Sequence, residues 1–275
     1  MSVALTSPPL ELAAIASALD ACGGLACHFD VDLLAVCDSS NTRLLARAEA
    51  GAPSGTVIVA RQQTAGRGRR GRHWISSADD SLTFSLLWRF PPAVALEGLS
   101  LAVGLALARA LEQMGGTGLT LKWPNDVLFE GRKLAGILIE LSSTHARGSE
   151  RRLAAIIGIG LNLRLPLDPA GLLDQPVAAW AQALPAATDP NPLLACLLAE
   201  LHRQLTAFAG QGFAPLRADW QRRNAHANQW VTVQADFAEP VSGLCRGVAE
   251  DGALLLETAA GVQRFLSGEV SLRSV

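Results

Sequence analysis

No tyrosine occurs anywhere in this 275-residue chain, which excludes every mechanism built on a phenol. An excess of charge is missing too. With 23 Lys+Arg against 25 Asp+Glu, the net charge of −2 gives no global field for nucleic acid or an anionic membrane, so any such binding must be local. Five cysteines at irregular spacings do not make a disulfide scaffold, and a reducing compartment is expected. Cys22, Cys27 and His28 lack a second ligand pair at zinc spacing, so no metal site is expected among them. No apolar run approaches the roughly 18 residues of a membrane span, and Met1 to Leu12 carries no Lys or Arg of a signal peptide. The expectation is a soluble cytoplasmic protein with no membrane contact. Internal repeats and low-complexity tracts are absent as well.

What is present is 49% apolar sequence, enough to bury a sizeable core. Residues 1–30 read as an extension holding one short helical pattern, Leu10 to Leu19. Residues 31–224 alternate strand-like runs (Val31 onward, Gly55 to Arg61, Leu82 to Trp88, Leu119 to Trp123, Val127 to Phe129, Leu134 to Leu141, Ala154 to Leu163) with helical ones (Asn41 to Ala50, Leu99 to Met114, Pro192 to Phe208, Pro215 to Arg223). In residues 225–275 short strands recur between Gly-Asp turns, as in a small β-barrel docked on the main domain. The fold class expected is α+β, a mixed sheet with flanking helices.

Three segments carry chemistry. Gly66-Arg67-Gly68-Arg69-Arg70-Gly71-Arg72 formally matches G-x-G-x-x-G, yet no helix starts inside it and no acidic residue follows at dinucleotide-fold spacing. Arginines interleaved with glycines describe a mobile anion clamp instead, a merely solvated basic loop, or a loop that contacts RNA. Lys122-Trp123-Pro124-Asn125-Asp126 sets a lysine at the end of an apolar strand, where partial desolvation strengthens its pull on a nearby anion. Asp38-Ser39-Ser40-Asn41-Thr42 puts small hydroxyls before a helix, as an N-cap, a ligand contact or both, and Gln63 adds an amide on the same side. Glycines inside strands, in Ala135-Gly136-Ile137 and Gly158-Ile159-Gly160-Leu161-Asn162, suggest that some object approaches the backbone closely.

Taken in order, the run Gln63 to Trp74, Lys122 to Asp126, Lys133-Leu134-Ala135-Gly136-Ile137-Leu138-Ile139-Glu140, Gly158 to Asn162 and Gly268-Glu269-Val270-Ser271-Leu272-Arg273 resembles the biotin protein ligases. The resemblance implies a biotin/lipoate-ligase-like catalytic domain with an SH3-like C-terminal barrel. It implies activation of biotin by ATP to biotinyl-5'-AMP, with Mg²⁺, and transfer to a lysine of the biotin carboxyl carrier protein of acetyl-CoA carboxylase or a similar carrier domain. Lys122, Arg67 and Arg69 are then the catalytic cations. Ser39, Ser40, Asn41, Gln63, Gly68, Gly136 and Gly160 join them around biotin. Arg70, Trp74, Asn125, Lys133, Asn162, Trp180 and Arg273 fall on the nucleotide side, with Trp74 or Trp180 against adenine. Bifunctional members begin with a winged helix-turn-helix domain, which residues 1–30 are too short to form, so no sequence-specific DNA binding is expected. A homodimer is compatible with the sequence. A lipoate or octanoate ligase on the same scaffold is the enzyme alternative, and a nucleic-acid-binding module using the arginine loop is the alternative of another class.

Overall fold

The structure, a computed structural model, describes residues 8–78, 80–92, 94–144, 152–165, 175–184, 189–235, 238–266 and 270–274. Asp79, much of the loop before Trp180, and Gly268 and Glu269 lie outside the described residues, as does the side chain of Arg273.

Two sheets organise the chain. The larger has seven strands in the order β1 (Asp30–Cys37), β2 (Thr56–Gln63), β3 (Ser81–Phe90), β7 (Arg152–Asn162), β6 (Arg132–Thr144), β5 (Asp126–Phe129) and β4 (Leu119–Lys122). It is mixed: β1 and β2 run parallel and the remaining neighbours antiparallel. The smaller is antiparallel, in the order β11 (Gly261–Phe265), β10 (Leu254–Thr258), β9 (Ala238–Val248), β8 (Trp230–Ala235) and β12 (Val270–Ser274). Its described pairings leave β11 and β12 at the edges, so the closed barrel expected from the sequence is seen only as this open order. Strand β12 adds a strand where the sequence texture offered only a motif.

The central strands carry apolar residues on both faces where helices cover them. On one face Val57, Val59, Phe84, Leu86, Ile157, Ile159 and Ile137 pack in the main core with α3 (Leu99–Gln113) and α5 (Pro190–Gln211). Helix α3 is apolar nearly all round and correspondingly buried, while α5 starts at the Asp189 cap with Pro190 in its first turn. Helix α1 (Leu12–Ala21) sends Ile15 and Leu19 into the same core. The other face is covered only in part. Helix α2 (Ser40–Glu49) packs Leu44 and Ala48 against Ile58, Leu87, Ala154 and Ile156. It stops short of the other end of the strands, and the bare end is where the site lies.

The two sheets share a seam. Leu121 of β4 donates its N–H to Arg223 O at 2.7 Å and accepts from Ala225 N at 2.9 Å, so residues just after α6 (Arg217–Arg222) run along β4. The indole N–H of Trp123 donates to Gly252 O in the turn before β10, at 3.1 Å.

Candidate active site

Strand register lays the floor. Thr83 faces Gly160, Gly160 faces Gly136, Gly136 faces Asp126, and Asp126 faces Lys122. Residues opposite one another in antiparallel strands share a side of the sheet, so small side chains cross three strands and end at a carboxylate and an ammonium. One row nearer α2, Ser85 faces Gly158 and Gly158 faces Leu138. Above this floor is a cavity of about 390 Å³.

The α2 end is polar and uncharged. Ser39 caps the helix, its hydroxyl accepting from Thr42 N at 3.5 Å. Gln63 Oε1 accepts the Ser40 N–H at 2.7 Å and the Ser40 hydroxyl at 3.0 Å. The buried Ser85 hydroxyl donates to Asn41 Oδ1 at 2.5 Å and lies 2.7 Å from Ser40 Oγ. Asn41 Nδ2 donates to Leu138 O and Glu140 Oε2, at 3.3 and 2.9 Å. A Cβ on Gly158 would sit 2.2 Å from Asn41 Oδ1, so glycine is what lets α2 touch the strand here.

The arginine segment is a folded hairpin, not an open clamp. Trp74 N donates to Gly66 O, Gly68 N to Arg72 O, and Arg67 bridges His73. Arg67 pairs with Glu140 at 2.6 Å, and Arg69 Nη1 donates to Asn125 Oδ1 at 3.2 Å. Asn125 in turn holds β6 through Ile137 O at 2.8 Å. Arg70 has a left-handed backbone (φ 57°). Burial, with Arg70 and Arg72 alongside, pushes Arg69 below the usual guanidinium value, against the opposing pull of Asp126. Arg67, Arg69, Arg70, Arg72, Lys122 and Lys133 all line the cavity, and Asp126 is the one acidic residue among its described lining. It is paired with Lys133 at 2.8 Å. An anion is the complement of such a wall.

Most of the residues singled out in the sequence meet here: Ser39, Ser40, Asn41, Gln63, Gly68, Trp74, Asn125, Gly136, Gly160 and Asn162 line the same cavity as the cations. Three placements differ from expectation. The object close to Gly160 is Trp74, whose ring would meet a Cβ there at 2.2 Å, while a Cβ on Gly136 would meet the Lys133 side chain at 3.0 Å and the Trp74 ring at 3.4 Å. Trp180, expected at adenine, is instead a core residue, 1% exposed with its ring against Gly116. Asn162 Nδ2 is committed to Lys133 O and Ala178 O, clamping β6 to the segment before α4 (Trp180–Ala183). Ser85 and Glu140 were missed as site residues by the sequence reading. The signal for Ser85 was present as a period of two, since Thr83 and Ser85 alternate with Leu82, Phe84 and Leu86.

His226 stands behind Lys122. It is 5% exposed, its Nδ1 is buried without a hydrogen-bond partner, and burial, with Lys122 as the lesser cause, lowers its pKa to about 4. The imidazole is therefore neutral at pH 7 and places no second charge beside the lysine. Because the folded value lies below the unfolded one of 6.5, the unfolded chain binds more protons in between, and stability falls as pH drops through this window. The loss approaches about 3 kcal/mol once pH is below both values. Thermal unfolding between about pH 7 and pH 5 should show it, and His226→Phe should flatten that pH dependence. An unchanged slope in the variant would assign the acid lability elsewhere.

A pocket with neutral hydrogen-bonding groups at one end and clustered cations at the other suits the joining of a small organic acid to a phosphate-bearing activator. That is the class of acid-activating ligases. Residues 33–162 match the Biotin/lipoate A/B protein ligase family, and residues 226–273 match the Biotin protein ligase C terminal domain. The bifunctional ligase/repressor BirA of Escherichia coli is 36% identical over 248 residues, covering 89% of this chain and 74% of that protein. The biotin–[acetyl-CoA-carboxylase] ligase of Paracoccus denitrificans is also 36% identical, over 86% of this chain and 98% of that one. A biotin protein ligase from Aquifex aeolicus, solved in complex with biotin and ATP, superposes with a TM-score of 0.76 at 30% identity, over 90% of this chain and 99% of that one. The chain belongs to the biotin/lipoate A/B protein ligase family, on its biotin protein ligase branch.

Proposed function

We propose that this chain condenses biotin with ATP to biotinyl-5'-AMP and transfers the biotinyl group to a lysine of the biotin carboxyl carrier protein of acetyl-CoA carboxylase or a similar carrier domain. The observation that carries the reading is the register-built floor that leads from neutral Ser40, Asn41 and Gln63 to Lys122 and the arginine hairpin. A ureido ring is neutral and polar, and groups that give and take single hydrogen bonds match it. A carboxylate oxygen then attacks the α-phosphorus, the bond to pyrophosphate breaks, and the charge that collects between the two anions falls where Lys122 and Arg69 lie. In the second half the lysine amine of the carrier attacks the acyl carbon and AMP leaves. Trp74, half-buried above the glycines, and the hairpin exclude water from the mixed anhydride in the interval. Mg²⁺ would arrive on the triphosphate and neutralise part of its charge.

We place the reaction in the cytoplasm, where a carrier substrate is met; among the described residues no helix is long and apolar enough to cross a membrane.

Mass spectrometry of a purified carrier domain incubated with the protein, ATP and biotin tests the reading. One biotinyl group on one lysine is expected, and lipoate in place of biotin should leave the carrier unchanged. Modification by lipoate alone would move the chain to the other branch of its family. The polar end makes a narrower prediction. Gly158→Ala drives a methyl into Asn41 Oδ1, and loss of that side chain's contacts should weaken biotin binding on the order of tenfold by calorimetry. Unaltered affinity would take Asn41 out of the biotin site.

A further inference from the structure

We propose that Glu140 is a positioning residue for this site: one carboxylate oxygen latches the arginine hairpin over the cavity and fixes the start of α2 at the same time. The proposal rests on the ligase reading and adds to it a residue outside the cavity lining.

The hairpin from Gly66 to Trp74 covers the floor with mostly exposed side chains, the half-buried ring of Trp74 apart. Arg67, Arg70, Gly71, Arg72 and His73 are exposed, and Gly66 and Gly68 bring no side chain. A glycine-rich segment loses much conformational entropy on closing, so its place depends on few anchors. Beside the Trp74 ring packed over Gly160 and the reach of Arg70 to Gln234 O, two hydrogen-bonded side chains of the hairpin tie it to the described part of the large sheet. One, at the tip, joins Arg69 to Asn125; the other, at the base, joins Arg67 to Glu140.

Glu140 lies on β6 on the side of the sheet that carries Gly136 and Leu138, opposite Ile156, where the floor runs under the first turn of α2. Its Oε2 accepts from Arg67 Nη2 at 2.6 Å and from Asn41 Nδ2 at 2.9 Å. Hairpin and helix start thus share one acceptor atom. Loss of that atom frees both, which couples biotin binding through Asn41 to closure of the hairpin through Arg67. The pair also alters the standing of Arg67. Its charge is already met by a carboxylate, so it places the hairpin, while neutralisation of phosphate falls to Arg69 and Lys122.

The test uses the full chain with biotin and ATP and no acceptor, followed by rapid gel filtration and timing of adenylate release. If the wild type forms no adenylate, the ligase reading fails and not the latch. With an adenylate formed, Glu140→Ala should release it on the order of tenfold faster and raise the KM for biotin severalfold. Placed in an Arg67→Ala background, the same substitution should no longer speed release, yet should still raise the KM through Asn41. Glu140→Gln keeps the shape and one acceptor, and should release at an intermediate rate. Release at the wild-type rate from Glu140→Ala or Glu140→Gln, or an equal acceleration with Arg67 already removed, would overturn the latch.

Discussion

Lys122→Ala is expected to leave a folded protein that scarcely makes biotinyl-5'-AMP. The lysine ends β4, half-buried, in register with Asp126 and lining the cavity. Its backbone is held from both sides, by β5 and by the residues after α6 that bond to Leu121. Removing the side chain therefore takes away a charge without loosening the strand, and stability should change by about 0.5 kcal/mol or less. Chemistry is another matter. A compact ammonium near the attacked phosphorus acts in a partly desolvated site where Coulomb forces are strong. Loss of one charge-assisted interaction, about 1.5–3 kcal/mol, slows adenylation on the order of tenfold to hundredfold. Lys122→Arg should rescue little, because a planar fork does not replace a point charge at the end of a short strand. Biotin-dependent exchange of pyrophosphate into ATP measures the effect, and wild-type exchange in Lys122→Ala would remove the lysine from the mechanism.

Arg69→Ala is expected to make an enzyme that loses its intermediate. Arg69 ties the tip of the hairpin to Asn125 and, pressed down in pKa by burial and by Arg70 and Arg72, has much to gain from an anion. The adenylate supplies that anion. Without Arg69 both the tie and the charge-assisted contact go, and adenylate should leave about ten to a hundred times faster. Exposed lysines of an unrelated bystander protein should then be biotinylated at a rate that rises with bystander concentration. Should the bystander stay unlabelled while the carrier is still modified at the normal rate, retention does not depend on Arg69.

Much of this was legible in the sequence, for a physical reason. Segments in which unlike demands meet, such as arginines among glycines or a lysine between Leu121 and Trp123, are costly unless a ligand uses them, and they stood out. The strands and helices around them followed from apolar period and caps, with boundaries off by a residue or a few. What stayed hidden depended on register. Nothing local says that Thr83, Gly160, Gly136, Asp126 and Lys122 fall in one row, because that alignment is made by strands far apart in the chain. Glu140 read as one more residue inside the strand-like run Leu134 to Leu141, since its partners are Arg67, 73 residues away, and Asn41, 99 away. Trp180 misled in the opposite direction: beside a loop-rich segment it looked available, but its ring fills the space that Gly116 leaves.

The indole of Trp123, one residue from Lys122, is anchored on Gly252 in the turn before β10, and residues 223–225 lie along β4. The small sheet and its approach thus wall the turn between β4 and β5, which carries Lys122 in the proposed mechanism. A graft that exchanged residues 225–275 for those of a relative would carry part of the active-site geometry with it. Sequence changes in the turn before β10 would, on the proposed mechanism, reach the Lys122 turn through the Trp123 indole as well as the C-terminal unit.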